Sequence, residues 1–482
     1  MTPINEKYDW FLEKSGIERK SYQLDGVRWC VHLETHRDPS LPIHGGFIAD
    51  EMGLGKTIMM IATFIANFVP RTLIVLPNIL LEQWQSEIYR TTGHKALIYH
   101  GKNKKLISLE QLKSAFIVLT TYNTVAITKK QSAITDVTVT PLHEIRWDRI
   151  VFDEAHHLRN KNSRWIGCKQ LKSKVRWLIS GTPVQNKRRD FFNLCSSLKM
   201  PASYYADTDN LRHLVANFVL KRSKKQVGIS LPNLNLDNES VLWKSESERR
   251  LSRDIHRALA MSAQKLKLFM HARQSCILPS LLKDNVDSMI SNKVISKDNF
   301  NSGALLCSSK MDAVVSTILG RKGNGNGKLV FCHFRGEIDS LISRLREGGI
   351  SNICTFDGRI SQAARFRLLR KKEDYEVIVL QIQTGCEGLN LQQNFSEVYF
   401  LSPNWNPAIE DQAVARCHRI GQTKPVSVFR FHMDSTFEKG GAKNDLNEVG
   451  AENEFLTLDQ YISTVQDGKR EISNEILPVH QL

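Results

Sequence analysis

The hydrophobic positions of this chain fall into short unbroken runs, each followed by a stretch with helical spacing. Arg71-Thr-Leu-Ile-Val-Leu-Pro77 is a buried-strand run stopped by proline, and Ile79 to Tyr89 then repeats apolar residues at helical intervals. Ala115 to Tyr122, Ile145 to Phe152 and Val175 to Pro183 are further runs. They end in hydroxyl residues, in Asp153-Glu-Ala-His156 and in Gly-Thr-Pro, respectively. Continuous hydrophobicity marks strands buried on both faces, so the pattern predicts parallel sheets covered by helices, with chemistry at the strand C-termini. Residues 1–35 mix aromatics with charge and read as helix. Between 200 and 310 no strand run appears, and the chain reads as polar helix. Gly323-Asn-Gly-Asn-Gly327 reads as a flexible joint. The alternation restarts with Lys328 to His333, Val377 to Ile382, Val398 to Leu401 and Val426 to Phe431. Beyond residue 436 the chain turns acidic (Glu448, Glu452, Glu454, Asp459, Asp467), and its pattern fits a packed helix or a loose end alike. The expected organisation is therefore an N-terminal α/β lobe over 1–200, a helical protrusion and linker over 201–327, a C-terminal lobe over 328–436 and an acidic extension over 437–482.

Composition narrows the class. At 482 residues the chain exceeds one ordinary core, and 41% hydrophobic with 24% charged residues is a globular balance. A formal charge of +16 suits a polyanionic partner, either nucleic acid or an acidic surface. Nine cysteines are scattered with no C-x-x-C pair, which argues against a zinc ribbon, a RING insert or a disulfide framework and for a reducing compartment. The N-terminus lacks a basic segment followed by an apolar one, and no run of 18 apolar residues occurs. Neither a signal peptide nor a membrane span is expected.

The chemistry centres on Ile48-Ala-Asp-Glu-Met-Gly-Leu-Gly-Lys-Thr57, which follows Gly45-Gly46 and precedes the apolar run Ile58 to Phe68. A strand, a glycine-bearing loop and a helix build a phosphate cradle, because loop amides and the helix N-terminus face the anion. Lys56 reaches the outer phosphates and the Thr57 hydroxyl suits Mg2+. The general pattern G-x-x-x-x-G-K-[ST] asks for glycine where this chain has Asp50. Asp153, at a strand tip, is placed to hold Mg2+, and Glu154 to orient or deprotonate the attacking water. Gln23, upstream, offers the donor and acceptor that an adenine edge requires. Arg416 and Arg419, three apart, are expected on one helical face, where guanidinium forks suit the spreading charge of phosphoryl transfer.

Phosphate loop, Asp153-Glu-Ala-His156, Ser180-Gly-Thr-Pro-Val-Gln-Asn186 and Gln412-Ala-Val-Ala-Arg-Cys-His-Arg-Ile-Gly-Gln422 occur in an order that resembles the superfamily 2 helicases. Within them the chain resembles the SWI/SNF-type DNA translocases, whose members include chromatin remodellers, over residues 20–435. Asp-Glu-Met-Gly-Leu-Gly-Lys-Thr looks like that family's own loop, so Asp50 becomes part of the match. The resemblance implies two tandem RecA-like P-loop lobes with a helical insertion between them, and an ATPase using ATP and Mg2+ on double-stranded DNA. It implies nucleotide contacts from Gln23, Asp50, Glu51, Met52, Gly53, Leu54, Gly55, Lys56, Thr57 and Gly388, and metal contacts from Thr57 and Asp153. Catalysis falls to Lys56, Asp153 and Glu154 with Arg416 and Arg419 as arginine fingers and Gln412 sensing the γ-phosphate, so that turnover requires lobe closure.

DNA contacts implied by the same resemblance are Pro77, Trp84, Thr121, Tyr122, Arg335, Arg365, Thr384 and Asn390, gripping phosphates without reading sequence. Lys187-Arg-Arg189, the Lys221–Lys225 cluster and Arg365 to Lys372 are further electrostatic candidates. Gln381 to Gln383 and Cys386-Glu387 depart from the family's small or basic residues, and a carboxylate at 387 is expected to weaken coupling to DNA. The leading expectation is a monomeric double-stranded DNA translocase that remodels protein–DNA complexes, nucleosomes among them, without strand separation. Alternatives are a transcription-associated ATPase acting on RNA polymerase, a strand-separating helicase, and an inactive DNA-binding scaffold. The compartment would be the nucleus in a eukaryote, with a viral factory or virion as the other setting.

Overall fold

The computed structural model describes residues 2–36, 43–127, 140–262, 265–298, 300–360, 368, 371–382, 390–434 and 457–477. Two compact units emerge, Met1–Ser230 with Lys469–Leu482, and Leu231–Gly468. Among the described residues no helix is long and apolar enough to cross a membrane.

The first unit is built on seven parallel strands: β1 (His44–Ile48), β2 (Thr72–Leu76), β3 (Leu97–Ile98), β4 (Ile117–Thr121), β5 (Arg146–Asp153), β6 (Lys172–Ile179) and β7 (Val219–Leu220). Their order is β3-β4-β2-β5-β6-β1-β7. Successive residues enter opposite cores, Leu73 and Val75 on one face, Ile74 and Leu76 on the other, and this is why the runs carry no polar alternation. Helices α1 (Thr2–Ser15), α2 (Ser21–Thr35), α3 (Lys56–Ala66) and α4 (Leu81–Thr92) contribute to the second of these faces. A buried ion pair fastens α2 to β5. Glu34 accepts from Arg149 Nε at 2.6 Å, Trp177 Nε1 at 2.8 Å and Asn67 Nδ2 at 2.6 Å, so the charge is fully solvated by protein.

The second unit carries β8 (Leu234–Val241), β9 (Gly327–Cys332), β10 (Ile353–Phe356), β11 (Val377–Gln381), β12 (Phe395–Phe400) and β13 (Val426–Met433), all parallel, in the order β10-β11-β9-β12-β13-β8. The same two-sided burial holds, with Val330 and Val379 on one face and Leu329 and Ile378 on the other. Helices Glu246–Met261 and Lys265–Ile277 form a separate apolar cluster with Leu282, Met289 and Ile295.

Two features differ from the expectation, and a third resolves an alternative it left open. The 200–310 stretch holds two strands, β7 and β8. The second escapes a hydrophobicity reading because Leu-Asn-Leu-Asp-Asn-Glu-Ser is an exposed edge strand, held by its ladder to β13 rather than by burial. Gly323–Gly327 is a tied turn, not a joint. The buried carboxylate of Glu397 accepts from Asn324 Nδ2 at 2.7 Å and from Arg321 Nη2 at 2.7 Å, and Gly323 N donates to Glu376. The acidic C-terminal stretch contains a packed helix, Leu458–Ile476. Its Asp459, fully buried, takes Lys310 Nζ at 2.6 Å and Met433 N at 3.0 Å, while Leu458 N donates to His256 Nε2 at 2.9 Å.

Candidate nucleotide site

The phosphate loop leaves β1 at its C-terminal end and runs into α3. Gly53 and Gly55 adopt positive φ (94° and 80°), a conformation that costs L side chains about 1 kcal/mol or more, so glycine is required for the turn itself. Gly55 is also a packing requirement, since a Cβ there would stand 2.4 Å from Gln23 Nε2. Lys56 Nζ donates to the Asp50 carbonyl at 2.8 Å and the Glu51 carbonyl at 3.4 Å. Burial lowers the Lys56 pKa, while Glu154, Asp50 and Asp153 push it back up; the ammonium thus sits beside the two acids of the β5 tip. The Ser180-Gly-Thr turn at the end of β6 joins them, with a Cβ on Gly181 reaching within 3.4 Å of Lys56 Nζ.

Asp153 is almost wholly buried, and burial followed by repulsion from Glu154 raises its pKa to about 7. Its Oδ2 accepts from Trp84 Nε1 at 2.7 Å, its Oδ1 from Glu154 N at 2.9 Å, and its carbonyl from Tyr122 OH at 2.7 Å. Glu154 holds a left-handed conformation (φ 48°), the kind of backbone strain that persists where surrounding structure enforces it. Its Oε2 lies 3.3 Å from His156 Nδ1, and His156 in turn meets Ser180 Oγ at 3.5 Å.

The residues fit a bound nucleotide and metal. Gln23 is buried, its Nε2 donates to the Leu54 carbonyl at 3.1 Å, and its Oε1 has no protein partner among the described residues. A buried acceptor left open in this way calls for a donor from a ligand, and an adenine amine is one. Thr57 is half-buried at the start of α3, and with Asp153 it would hold Mg2+, which uses few protein ligands and retains water and phosphate oxygens.

In the second unit, helix Pro407–Val414 ends before the arginines, so Arg416 and Arg419 lie in turns and share no helical face. The Gln422 amide ties this segment back to the sheet, donating to Phe395 O at 3.0 Å and Cys417 O at 3.2 Å, and His418 Nε2 meets Pro232 O at 2.9 Å. Gln412 is buried on the helix. Burial and the neighbouring Arg416 charge lower the Arg419 pKa, so two partly desolvated cations stand together, a setting that favours an anion. Arg419 Nη1 donates to Asn390 Oδ1.

Several expected DNA contacts are placed elsewhere. Trp84 is 1% exposed and Tyr122 is buried, because both donate to Asp153, while Thr121 is buried on Thr124 and Pro77 is buried at the end of β2. What these segments expose are Asn78 and Asn123, with Arg335 and Asn390 exposed in the second unit. Lys187, Arg188 and Arg189 are exposed, whereas in the Lys221–Lys225 cluster Arg222 and Lys224 turn inward onto Asp50 and Glu51. Arg365, Thr384 and Gly388, and the divergent Gln383–Glu387, lie outside the described residues. Sequence reasoning did not anticipate the roles of Trp84, Tyr122 and Arg222. Only Asp50 carried a signal, since a carboxylate in an apolar loop demands a cation.

The fold and the site define a P-loop nucleotide-binding protein with two RecA-like α/β units. The chain carries an SNF2-related domain over residues 22–207 and a helicase conserved C-terminal domain over residues 309–421. It is 28% identical to chromodomain-helicase-DNA-binding protein 8 of Danio rerio over 88% of its length, and 25% identical to the ATP-dependent DNA helicase DDM1 of Arabidopsis thaliana over 93%. It spans only 18% and 63% of those two relatives. A SWI2/SNF2 ATPase core of Sulfolobus solfataricus, solved in complex with dsDNA, is 24% identical and aligns over 87% of this chain and 89% of that one, with a TM-score of 0.40.

Proposed function

We propose that this chain is a DNA-dependent ATPase that translocates on double-stranded DNA and remodels or displaces protein–DNA complexes without separating strands. The observation that carries the ATPase reading is the convergence of Lys56, Asp153, Glu154 and Gly181 at three neighbouring strand ends, with the open acceptor of Gln23 beside the loop. Lys56 supplies charge to the outer phosphates, Glu154 orients the attacking water, and Arg416 and Arg419 offset the developing charge. The DNA reading is supported by the family, by the +16 charge and by exposed Lys187, Arg188, Arg189 and Arg335.

The test is ATP hydrolysis alone and with blunt duplex DNA, single-stranded DNA or RNA, alongside a strand-displacement assay. Strong stimulation by duplex without strand displacement is expected. Turnover indifferent to DNA, or displaced strands, would overturn the translocase reading. Glu154→Gln should bind ATP and fail to hydrolyse it; normal turnover would remove its assignment.

A further inference from the structure

We propose that Arg222 is a positioning residue of the nucleotide site, clamping the turn that bears Gln23 to the phosphate loop, and that Asp50 replaces the general pattern's glycine in order to receive it. The inference rests on the ATP site proposed above and adds a residue from outside its motifs.

Arg222 follows β7, some 170 residues along the chain from the loop it touches. Its backbone N and its Nε donate to Asp50 Oδ1 at 2.9 and 3.1 Å, and its Nη2 to Asp50 Oδ2 at 2.6 Å. The other arm of the fork, Nη1, donates to the Tyr22 carbonyl at 2.6 Å, and the guanidinium lies 5.6 Å from the Tyr22 ring centre. One planar group thus joins Tyr22, the residue preceding Gln23, to Asp50 of the phosphate loop. Both partners are buried, with side-chain exposures of 6% and 1%. Gly26 on α2 leaves room for Met59 and for the guanidinium, since a Cβ there would stand 2.1 Å from Met59 Sδ and 3.1 Å from Arg222 Nη2.

The surrounding backbone makes the clamp continuous. Ala49 N donates to Leu220 O at 2.8 Å and Glu51 N to Arg222 O at 2.9 Å, and Glu51 is in turn held by Lys224 through its N at 2.8 Å and its Nζ at 2.9 Å. Every residue from 49 to 51 is therefore fixed by the 220–224 segment. Lys56 Nζ bonds the carbonyl of Asp50, so the clamp also sets where the ammonium stands. A core ion pair without this role would be indifferent to what its partners hold. Here all of the guanidinium's hydrogen bonds to oxygen end on the first turn of α2, which bears Gln23, and on the phosphate loop.

The experiment compares wild type with Arg222→Lys, Asp50→Asn and Asp50→Gly, measuring affinity for a fluorescent ATP analogue, kcat at saturating ATP and melting temperature. Lysine keeps the charge but cannot fork, asparagine keeps the shape but not the charge, and glycine restores the general motif. Each should weaken analogue binding on the order of tenfold or more, with kcat at saturating ATP changing less. Folded variants with wild-type affinity and only a lowered melting temperature would overturn the proposal, as would undiminished binding by Asp50→Gly. If one variant fails to fold, the other two decide. A wild-type chain that binds no analogue would sink the ATP reading and this inference together; a binding wild type with unaffected variants would sink the role of Arg222 alone.

Discussion

Trp84→Phe separates two roles that the same residue could have had. As a phosphate contact its loss would weaken DNA binding; as a support for Asp153 it would leave DNA binding alone and disturb the metal. The structure favours the second, because the indole is 1% exposed and its N–H points at Asp153 Oδ2 at 2.7 Å. Phenylalanine keeps most of the ring and removes that donor. To hold Mg2+ the Asp153 carboxyl must be ionised, and in that form a hydrogen bond to it contributes about 1.5–3 kcal/mol, while removal of a group that orients a metal ligand costs about 10–100-fold in metal affinity or activity; the two ranges agree, since about 1.4 kcal/mol is tenfold. The remaining donors, Glu154 N to Oδ1 and Tyr122 OH to the carbonyl, keep Asp153 in place but leave Oδ2 free to turn. The assay is a Mg2+ titration of nucleotide binding and of turnover, with duplex affinity measured in parallel. The Mg2+ midpoint should rise about 10–100-fold with duplex affinity unchanged. An unchanged midpoint with weakened DNA binding would refute the reasoning and return Trp84 to the DNA surface.

Arg419→Ala should lower ATP hydrolysis on the order of 10³-fold with nucleotide binding retained, if it acts as a finger; a change under tenfold would remove that role. Glu34→Gln should destabilise the first unit by about 3 kcal/mol or more, because Arg149 is left as a buried charge facing a neutral amide; denaturant unfolding measures it. His256 predicts a pH effect in the second unit. Its Nδ1 donates to Ser252 O at 2.6 Å and its Nε2 must stay unprotonated to accept Leu458 N, with Asp459, Cys276 and Ser252 as neighbours. Burial depresses its folded pKa below the ordinary 6.5, so its contribution is complete above pH 6.5 and is lost as the pH falls below it. Melting temperature between pH 7 and about 5 should therefore fall more steeply for wild type than for His256→Gln; parallel slopes would refute this.

Much of this architecture was legible in the chain because it depends on local chemistry. Parallel strands covered on both faces must be continuous apolar runs, so β2, β4, β5, β9 and β11 announced themselves, and the acids Asp153 and Glu154 break the pattern at the C-terminal tip of β5 as the phosphate loop does after β1. What the local pattern could not carry is partnership. The edge strand β8 is held by a ladder to a strand nearly two hundred residues away, so its own polarity hides it. The turns bearing Arg416 and Arg419 are fixed by an amide reaching back to β12, which no periodicity reports. Trp84 and Arg222 looked like surface for phosphate because aromatic and basic residues near a polyanion site usually are. Only the tertiary structure showed that burial turns them inward, onto Asp153 and Asp50, since a carboxylate withdrawn from water must find its donors inside the protein, wherever along the chain they lie.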